Sequence, residues 1–312
     1  MSTTFSAMPS IDVTNDPCDL RIKGVTKRYE GFTLDGVSLD VPRGSVVGLI
    51  GQNGAGKTTL MKAVLGTIHM NGGTVELFGR DLASLTDAEL IALRGRVGFV
   101  SAVTAFPGVM TVSEIARMYR MAFPAFDQAA YESLATRIGL LPQNAGKKVK
   151  DLSRGMGMKL QLVCTLASGA DLVIMDEPTA GLDPIVREEV LDVLREWMEG
   201  DGRSILISSH ITSDLEHLAD TVVLIDDGAV LVDCTADEIA EMGVAHLRAT
   251  ELEQLLSDGG YAPGTLHVLK RDLSYAALIP DRHAFAEAYP EFAVDPAGID
   301  DIMTLLVKGE VR

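Results

Sequence analysis

Cysteine is scarce: three occur in 312 residues. Cys18, Cys164 and Cys234 form no CxxC pair and cannot all be joined, so a disulfide scaffold is excluded; they read as small hydrophobic residues of a reducing compartment. Basic residues are scarce too, with 27 Lys plus Arg against 44 Asp plus Glu and a net charge of −17. A surface so acidic repels phosphate backbones and anionic headgroups, which argues against nucleic acid as a partner and against electrostatic attachment of the whole chain to a membrane. No apolar run reaches the ~20 residues of a bilayer crossing. The longest, Met158 to Met175, is broken by Lys159, Gln161 and Asp171. Met1 to Asn15 lacks a basic n-region and an apolar h-region, so a polar tail is expected over residues 1–17 and not a signal peptide. Internal repeats and low-complexity segments are missing as well, which removes solenoid architectures.

What the chain does have is apolar bulk. Apolar residues make up 47% against 23% charged, enough for one large core or two and too much for a disordered chain. Mean hydropathy is positive despite the acidity, so the apolar excess must sit in a core or against a partner. Short runs rich in β-branched residues recur at Val46–Ile50, Val97–Val100, Leu172–Met175, Ile205–Ser208 and Val222–Ile225. Their near-continuous apolar character predicts strands covered on both faces, the mark of a mostly parallel α/β sheet with helices outside. Leu20 to Val41 and Thr74 to Phe78 alternate more and carry Gly turns, which predicts an antiparallel β flank. Thr86 with Glu89, Thr111 with Glu114 and Thr235 with Glu238 are capping boxes that mark helix starts. The pattern changes near Gly243. Beyond it come a helix-like stretch from Ala245 to Leu256, two strand-like runs (Thr265–Lys270, Leu273–Ile279), and helices around Ala284–Tyr289 and Ile299–Val307. The expected division is therefore a main domain over residues 18–243 and a small α+β domain over 244–312.

The predicted strand Val46–Ile50 runs straight into Gly51-Gln52-Asn53-Gly54-Ala55-Gly56-Lys57-Thr58-Thr59, a G-x4-G-K-T phosphate loop ahead of a predicted helix. Its glycines let successive backbone N–H groups converge on an anion at a helix N-terminus. Lys57 adds a cation for the β- and γ-phosphates, and the Thr58 hydroxyl can ligate Mg²⁺. Further on, Leu172–Met175 ends in the adjacent carboxylates Asp176 and Glu177. Side chains alternate along a strand, so the two can divide the work: one holds Mg²⁺ and the next, aimed elsewhere, polarises an attacking water.

Three more segments complete a pattern. Leu152-Ser153-Arg154-Gly155-Met156 resembles the signature peptide of the ABC-type ATPases, Ala180-Gly181-Leu182-Asp183 resembles their D-loop, and His210 after the strand Ile205–Ser208 resembles their switch histidine. With the phosphate loop and the carboxylate pair, five motifs stand in register over roughly Leu20 to Gly243. The resemblance implies a P-loop NTPase fold of the ABC type, with a helical subdomain at about 103–160. It implies two ATPs sandwiched in a head-to-tail dimer, each between one phosphate loop and the partner's Ser153 and Gly155. It gives Glu177 the attacking water, His210 the γ-phosphate and Tyr29 the adenine ring, Tyr29 standing at the spacing of the family's stacking aromatic. ATP and Mg²⁺ follow as substrate and cofactor, the latter on Thr58 and Asp176.

One position departs from the family. Its Q-loop glutamine follows the strand corresponding to Val97–Val100, and here that place falls on Ala102, which has no oxygen to offer a metal or a water. Ser101, Thr104 or an extra water is expected to fill the gap, with slower hydrolysis. The resemblance further implies an ATPase subunit that drives a separate transmembrane subunit, paired with an identical or paralogous ATPase at the cytoplasmic face of the membrane. The segment Asp300 to Glu310 resembles the tail of multidrug and antibiotic-type exporter ATPases, which implies export. Two other readings keep the fold: a soluble assembly or scaffold factor, and a nucleotide sensor that hydrolyses slowly.

Overall fold

The computed structural model describes residues 16–258, 261 and 264–312, so most of the tail expected over residues 1–17 lies outside the described residues. The chain opens with a long hairpin, β1 (Cys18–Tyr29) and β2 (Phe32–Pro42), followed by β3 (Val46–Ile50), α1 (Lys57–Val64), β4 (Gly72–Leu77) and β5 (Arg80–Asp81). Next come α2 (Asp87–Arg94), β6 (Val97–Val100), α3 (Val112–Ala122), α4 (Gln128–Arg137), α5 (Arg154–Leu166), β7 (Leu172–Asp176), α6 (Pro184–Met198) and β8 (Ser204–Ser209). A four-residue α7 (Thr212–Leu215) leads into β9 (Thr221–Asp226), β10 (Ala229–Thr235) and α8 (Ala236–Glu241). All three expected capping boxes form, with each threonine accepting from the N3 backbone and each glutamate from the N-cap backbone.

The central sheet has six strands in the order β10-β9-β3-β8-β7-β6, parallel except for the β10–β9 edge pair. Its sequence logic is visible residue by residue. Val46, Val173, Ile205 and Val222 face the cluster that includes helices α3 to α6, whereas their neighbours Val47, Ile174, Leu206 and Val223 face α1 and the antiparallel sheet β2-β1-β4-β5. Consecutive apolar residues are needed because both faces are covered, and β-branched side chains suit such strands. The carboxyl ends of β3, β7 and β8 then deliver the phosphate loop, Asp176 with Glu177, and His210 to one edge, where open α/β sheets carry their sites.

Past α8 the expected helix over Ala245–Leu256 is corrected. Its first part is a strand, β11 (Gly243–Leu247), and the helix, α9, spans only Ala249–Ser257. Val244, Ala245 and Leu247 are buried where β11 pairs antiparallel with two strands, so tertiary pairing overrides a local pattern that read as helix. Those partners belong to a third sheet completed by β12 (His267–Arg271), β13 (Ser274–Ile279), β14 (Ala293–Pro296) and β15 (Glu310–Val311), in the order β14-β11-β13-β12-β15. Two helices accompany it, α10 (Arg282–Ala288) and α11 (Ile299–Lys308). Helix α11 also reaches the main body: Ile299 joins the cluster that contains Leu215 and Val222, and Met303, Leu306 and Val307 pack against it. The Ile299 N–H donates to Glu216 Oε1 at 3.2 Å, and the Ala297 N–H donates to the Met242 carbonyl at 3.1 Å.

Among the described residues no helix is long and apolar enough to cross a membrane. All three cysteines are buried free thiols, and burial pushes the Cys234 thiol up to about 11.

Candidate functional site

The site grows out of the turn between β3 and α1. Gly54 and Gly56 hold φ of 89° and 115°, left-handed values that a side chain resists, and Gly56 is the N-cap of α1. A Cβ on Gly51 would collide with the Ile225 carbonyl. Lys57, only 6% exposed, donates from Nζ to the Gly51 carbonyl at 2.6 Å and the Gln52 carbonyl at 3.3 Å, and lies 3.3 Å from Glu177 Oε1. A hollow of about 200 Å³ opens in front of it, lined by Asn53, Gly54, Gly56, Thr58, Thr59 and Glu177 among others. Ala55 is buried and takes no part in that lining; its carbonyl instead accepts from the Gly228 N–H at 3.0 Å. The Gly228 carbonyl in turn accepts from the Asp35 N–H at 2.8 Å, which fastens the β1–β2 hairpin beside the loop.

The two carboxylates diverge as alternation along a strand requires. Asp176 is buried and accepts from the Thr58 hydroxyl at 2.8 Å on one oxygen and from the Ser208 hydroxyl at 2.9 Å on the other. Glu177 has a φ of 51°, an uncommon backbone state outside glycine that swings its carboxylate away from Asp176. One of its oxygens faces Lys57, and the other takes the His210 ring Nδ1. The Glu177 N–H donates to the Ser208 hydroxyl at 3.0 Å, so Ser208 joins both acids to β8. In the sequence Ser208 is only the end of an apolar strand. Nothing local marks it, since its role depends on the parallel pairing that sets it opposite Asp176.

The residues brought together are thus Lys57, Thr58, Asp176, Glu177 and His210. Mg²⁺ fits this donor set: a hydroxyl and a carboxylate in direct contact are hard oxygen ligands, and the ion commonly adds one or two carboxylates to substrate phosphates and waters. Other expected residues stand apart from the hollow. Ser153 is the N-cap of α5 and accepts from the Met156 N–H at 3.3 Å, while Gly155 packs against Val186 of α6. Asp183 is the N-cap of α6 and accepts from the Ile185 and Val186 N–H groups, each at 3.1 Å, ahead of Pro184 at the first turn. Tyr29 is 46% exposed with the Lys27 ammonium 5.1 Å from its ring centre, and the aromatic that lines the phosphate hollow is its hairpin partner Phe32.

Beside Ala102 stand the hydroxyls of Ser101 and Thr104. The Ser101 hydroxyl donates to the Val103 carbonyl at 2.5 Å, and Thr104 lies against Gly157 of α5. Neither Ser101 nor Thr104 lines the phosphate hollow.

Comparison with known proteins agrees with this geometry. Residues 34–180 match the ABC transporter family profile. The Nod factor export ATP-binding protein I of Ralstonia nicotianae is 34% identical over 309 residues, covering 94% of this chain and 95% of that protein. The daunorubicin resistance ATP-binding protein DrrA3 of Streptomyces coeruleorubidus is 33% identical over 230 residues, 72% of this chain and 71% of its own length. The bacitracin transport ATP-binding protein BcrA of Enterococcus faecalis is 30% identical over 244 residues, 78% and 76% of the two chains. A solved ATP-binding subunit of an ABC transporter superposes with a TM-score of 0.63 at 29% identity, covering 70% of this chain and 91% of that one. The chain belongs to the ABC transporter ATP-binding family. It is an ATP-binding and ATP-hydrolysing transporter subunit with the α/β P-loop NTPase fold.

Proposed function

We propose that this chain is the Mg²⁺-dependent ATPase of an exporter, seated on a separate transmembrane subunit at the cytoplasmic face of the membrane and working as a head-to-tail dimer. The observation that carries the catalytic part is the contact chain Lys57–Glu177–His210 in front of the phosphate loop. Lys57 reaches Glu177 and two carbonyls. The phosphates of ATP supply a stronger partner for the ammonium at the head of α1, which leaves Glu177 held by His210 and free to take a proton from water. Mg²⁺ on Thr58 and Asp176 would neutralise the phosphate oxygens. Ser153 and the N–H groups at the head of α5 are suited to the γ-phosphate of the ATP bound by the partner.

The transmembrane partner is supported by an apolar hollow of about 430 Å³ between α2 and the end of α3, lined by Ile91, Ala92, Phe123, Pro124 and Ala125. Ile91 is exposed there, as is Met121 close by in the chain, and such patches mark contact surfaces. Export is supported by the names of the relatives, which refer to drug resistance and Nod factor export. The segment over 244–312 serves as an accessory domain, braced on α7 and α8 through α11. Phosphate release from Mg·ATP, abolished by EDTA, together with recovery of a polytopic protein bound to this chain from detergent-solubilised membranes, is the expected pair of results. Hydrolysis with no membrane protein bound would favour the soluble-factor reading instead.

Two substitutions sharpen the site. Ala102→Gln supplies a side-chain oxygen where neither Ser101 nor Thr104 lines the phosphate hollow, and is expected to raise turnover roughly threefold to tenfold and lower the Mg²⁺ concentration for half activity, as one placed polar group does. Unchanged values in a Mg²⁺ titration would show that the site is complete without it. Tyr29→Ala is expected to weaken ATP binding by about 1–2 kcal/mol, the scale of one base–aromatic stack, and to leave affinity for inorganic triphosphate unchanged. Equal losses for both ligands in a calorimetric titration would rule out adenine stacking.

A further inference from the structure

The loop that carries Glu177 and the loop that carries His210 are joined a second time, behind the site. Asp214 in α7 is fully buried, and each of its oxygens is engaged by the neighbouring loop. The Thr179 hydroxyl donates to Oδ2 at 2.5 Å, and Arg187 Nε donates to Oδ1. Arg187 also donates through Nη2 to the Ser213 hydroxyl at 2.6 Å. Thr179 lies between Glu177 and Asp183, Arg187 stands in the first turn of α6, and α7 begins two residues after His210. A buried carboxylate is costly unless both charge and hydrogen bonds are met, and here both are met by residues of the Glu177 side.

The same α6 turn leads back to the signature peptide. Gly155 packs on Val186, and the Arg154 guanidinium lies against Gly181. Neither Thr179 nor Asp214 lines the phosphate hollow, so the clamp can act on hydrolysis only through the residues it holds.

We propose that Asp214 is a positioning residue: with Thr179 and Arg187 it locks the α7 segment to the β7–α6 loop and so sets His210 against Glu177 for hydrolysis. This rests on the roles proposed above for those two residues. ATP binding depends on Lys57 and the loop glycines on the far side, and is independent of the clamp.

The test is a double-mutant cycle on the full chain, with residual rates followed by release of labelled phosphate. Asp214→Asn keeps the shape and removes the charge; Arg187, partly exposed, can then be hydrated. It is expected to lower kcat about tenfold with KM for ATP within about twofold, the scale of a misplaced catalytic pair. Thr179→Val, which deletes one donor and nothing else, should act in the same direction by about threefold. In a His210→Ala background both effects should shrink to within about twofold, because the residue they position is gone. Unchanged kcat in both single variants overturns the proposal, as does a loss that persists in full without His210, or a KM that rises together with a fall in thermal stability. If His210→Ala itself leaves turnover unchanged, the catalytic reading fails and the clamp fails with it; a strong His210→Ala effect beside a silent Asp214→Asn condemns the clamp alone.

Discussion

Glu177→Gln is expected to slow ATP hydrolysis by about 10²–10⁴-fold, the usual worth of a placed general base, or roughly 3–5 kcal/mol of barrier. The amide keeps the shape of the side chain and its reach to His210, and loses the ability to accept a proton. It also loses the ion pair with Lys57 at 3.3 Å. The ammonium, no longer drawn to a carboxylate, is then more available to phosphate, so affinity for ATP should hold or improve. Phosphate release at saturating nucleotide and equilibrium binding of ATP, measured on the same preparation, separate the two effects. A variant that turns over at the wild-type rate would mean that water is activated elsewhere. A variant that fails to bind ATP would mean that Glu177 is part of the cradle.

Lys57→Ala is expected to do the reverse and abolish binding before chemistry can be tested. A charge-assisted contact to phosphate at a shielded site is worth about 2–4 kcal/mol, or roughly 30- to 700-fold in Kd. The loss is aggravated by what stays behind, for Glu177 then faces the nucleotide without its counter-charge, and so do the Gly51 and Gln52 carbonyls that Lys57 satisfies. Titration calorimetry with ATP should give a weak or undetectable signal while the thermal unfolding midpoint of the free protein changes little. Retained affinity would leave the backbone N–H groups as the sole phosphate ligands.

These two residues were legible in the sequence because their signals are local. The phosphate loop is a contiguous pattern between a run of apolar residues and a helix, and Asp176 and Glu177 terminate another such run. Both strands were readable because being covered on two faces forces every position to be apolar. Threonine and glutamate three apart announce a helix start wherever they occur, and the three pairs singled out all cap helices. What stayed hidden depends on pairing across long stretches of chain. Ser208 gains its place from the β7–β8 register, and Gly243–Leu247 becomes a strand only because β13 and β14 flank it. Phe32 enters the phosphate hollow through the geometry of a hairpin, and no motif marks it. Asp214 carries no motif at all; its neighbours Thr179 and Arg187 reach it from another loop.

The seating of Ile299 among Leu215 and Val222 has a consequence for synthesis. During translation the residues of α7 and β9 emerge first, and the helix that covers them follows only after most of the third sheet. At about 5–20 residues per second the nucleotide-binding sheet spends several seconds with that apolar face open. Until α11 has been made the newborn chain carries that open apolar face, and a ribosome that stalls within the third sheet releases a product with every catalytic motif and an unfinished core.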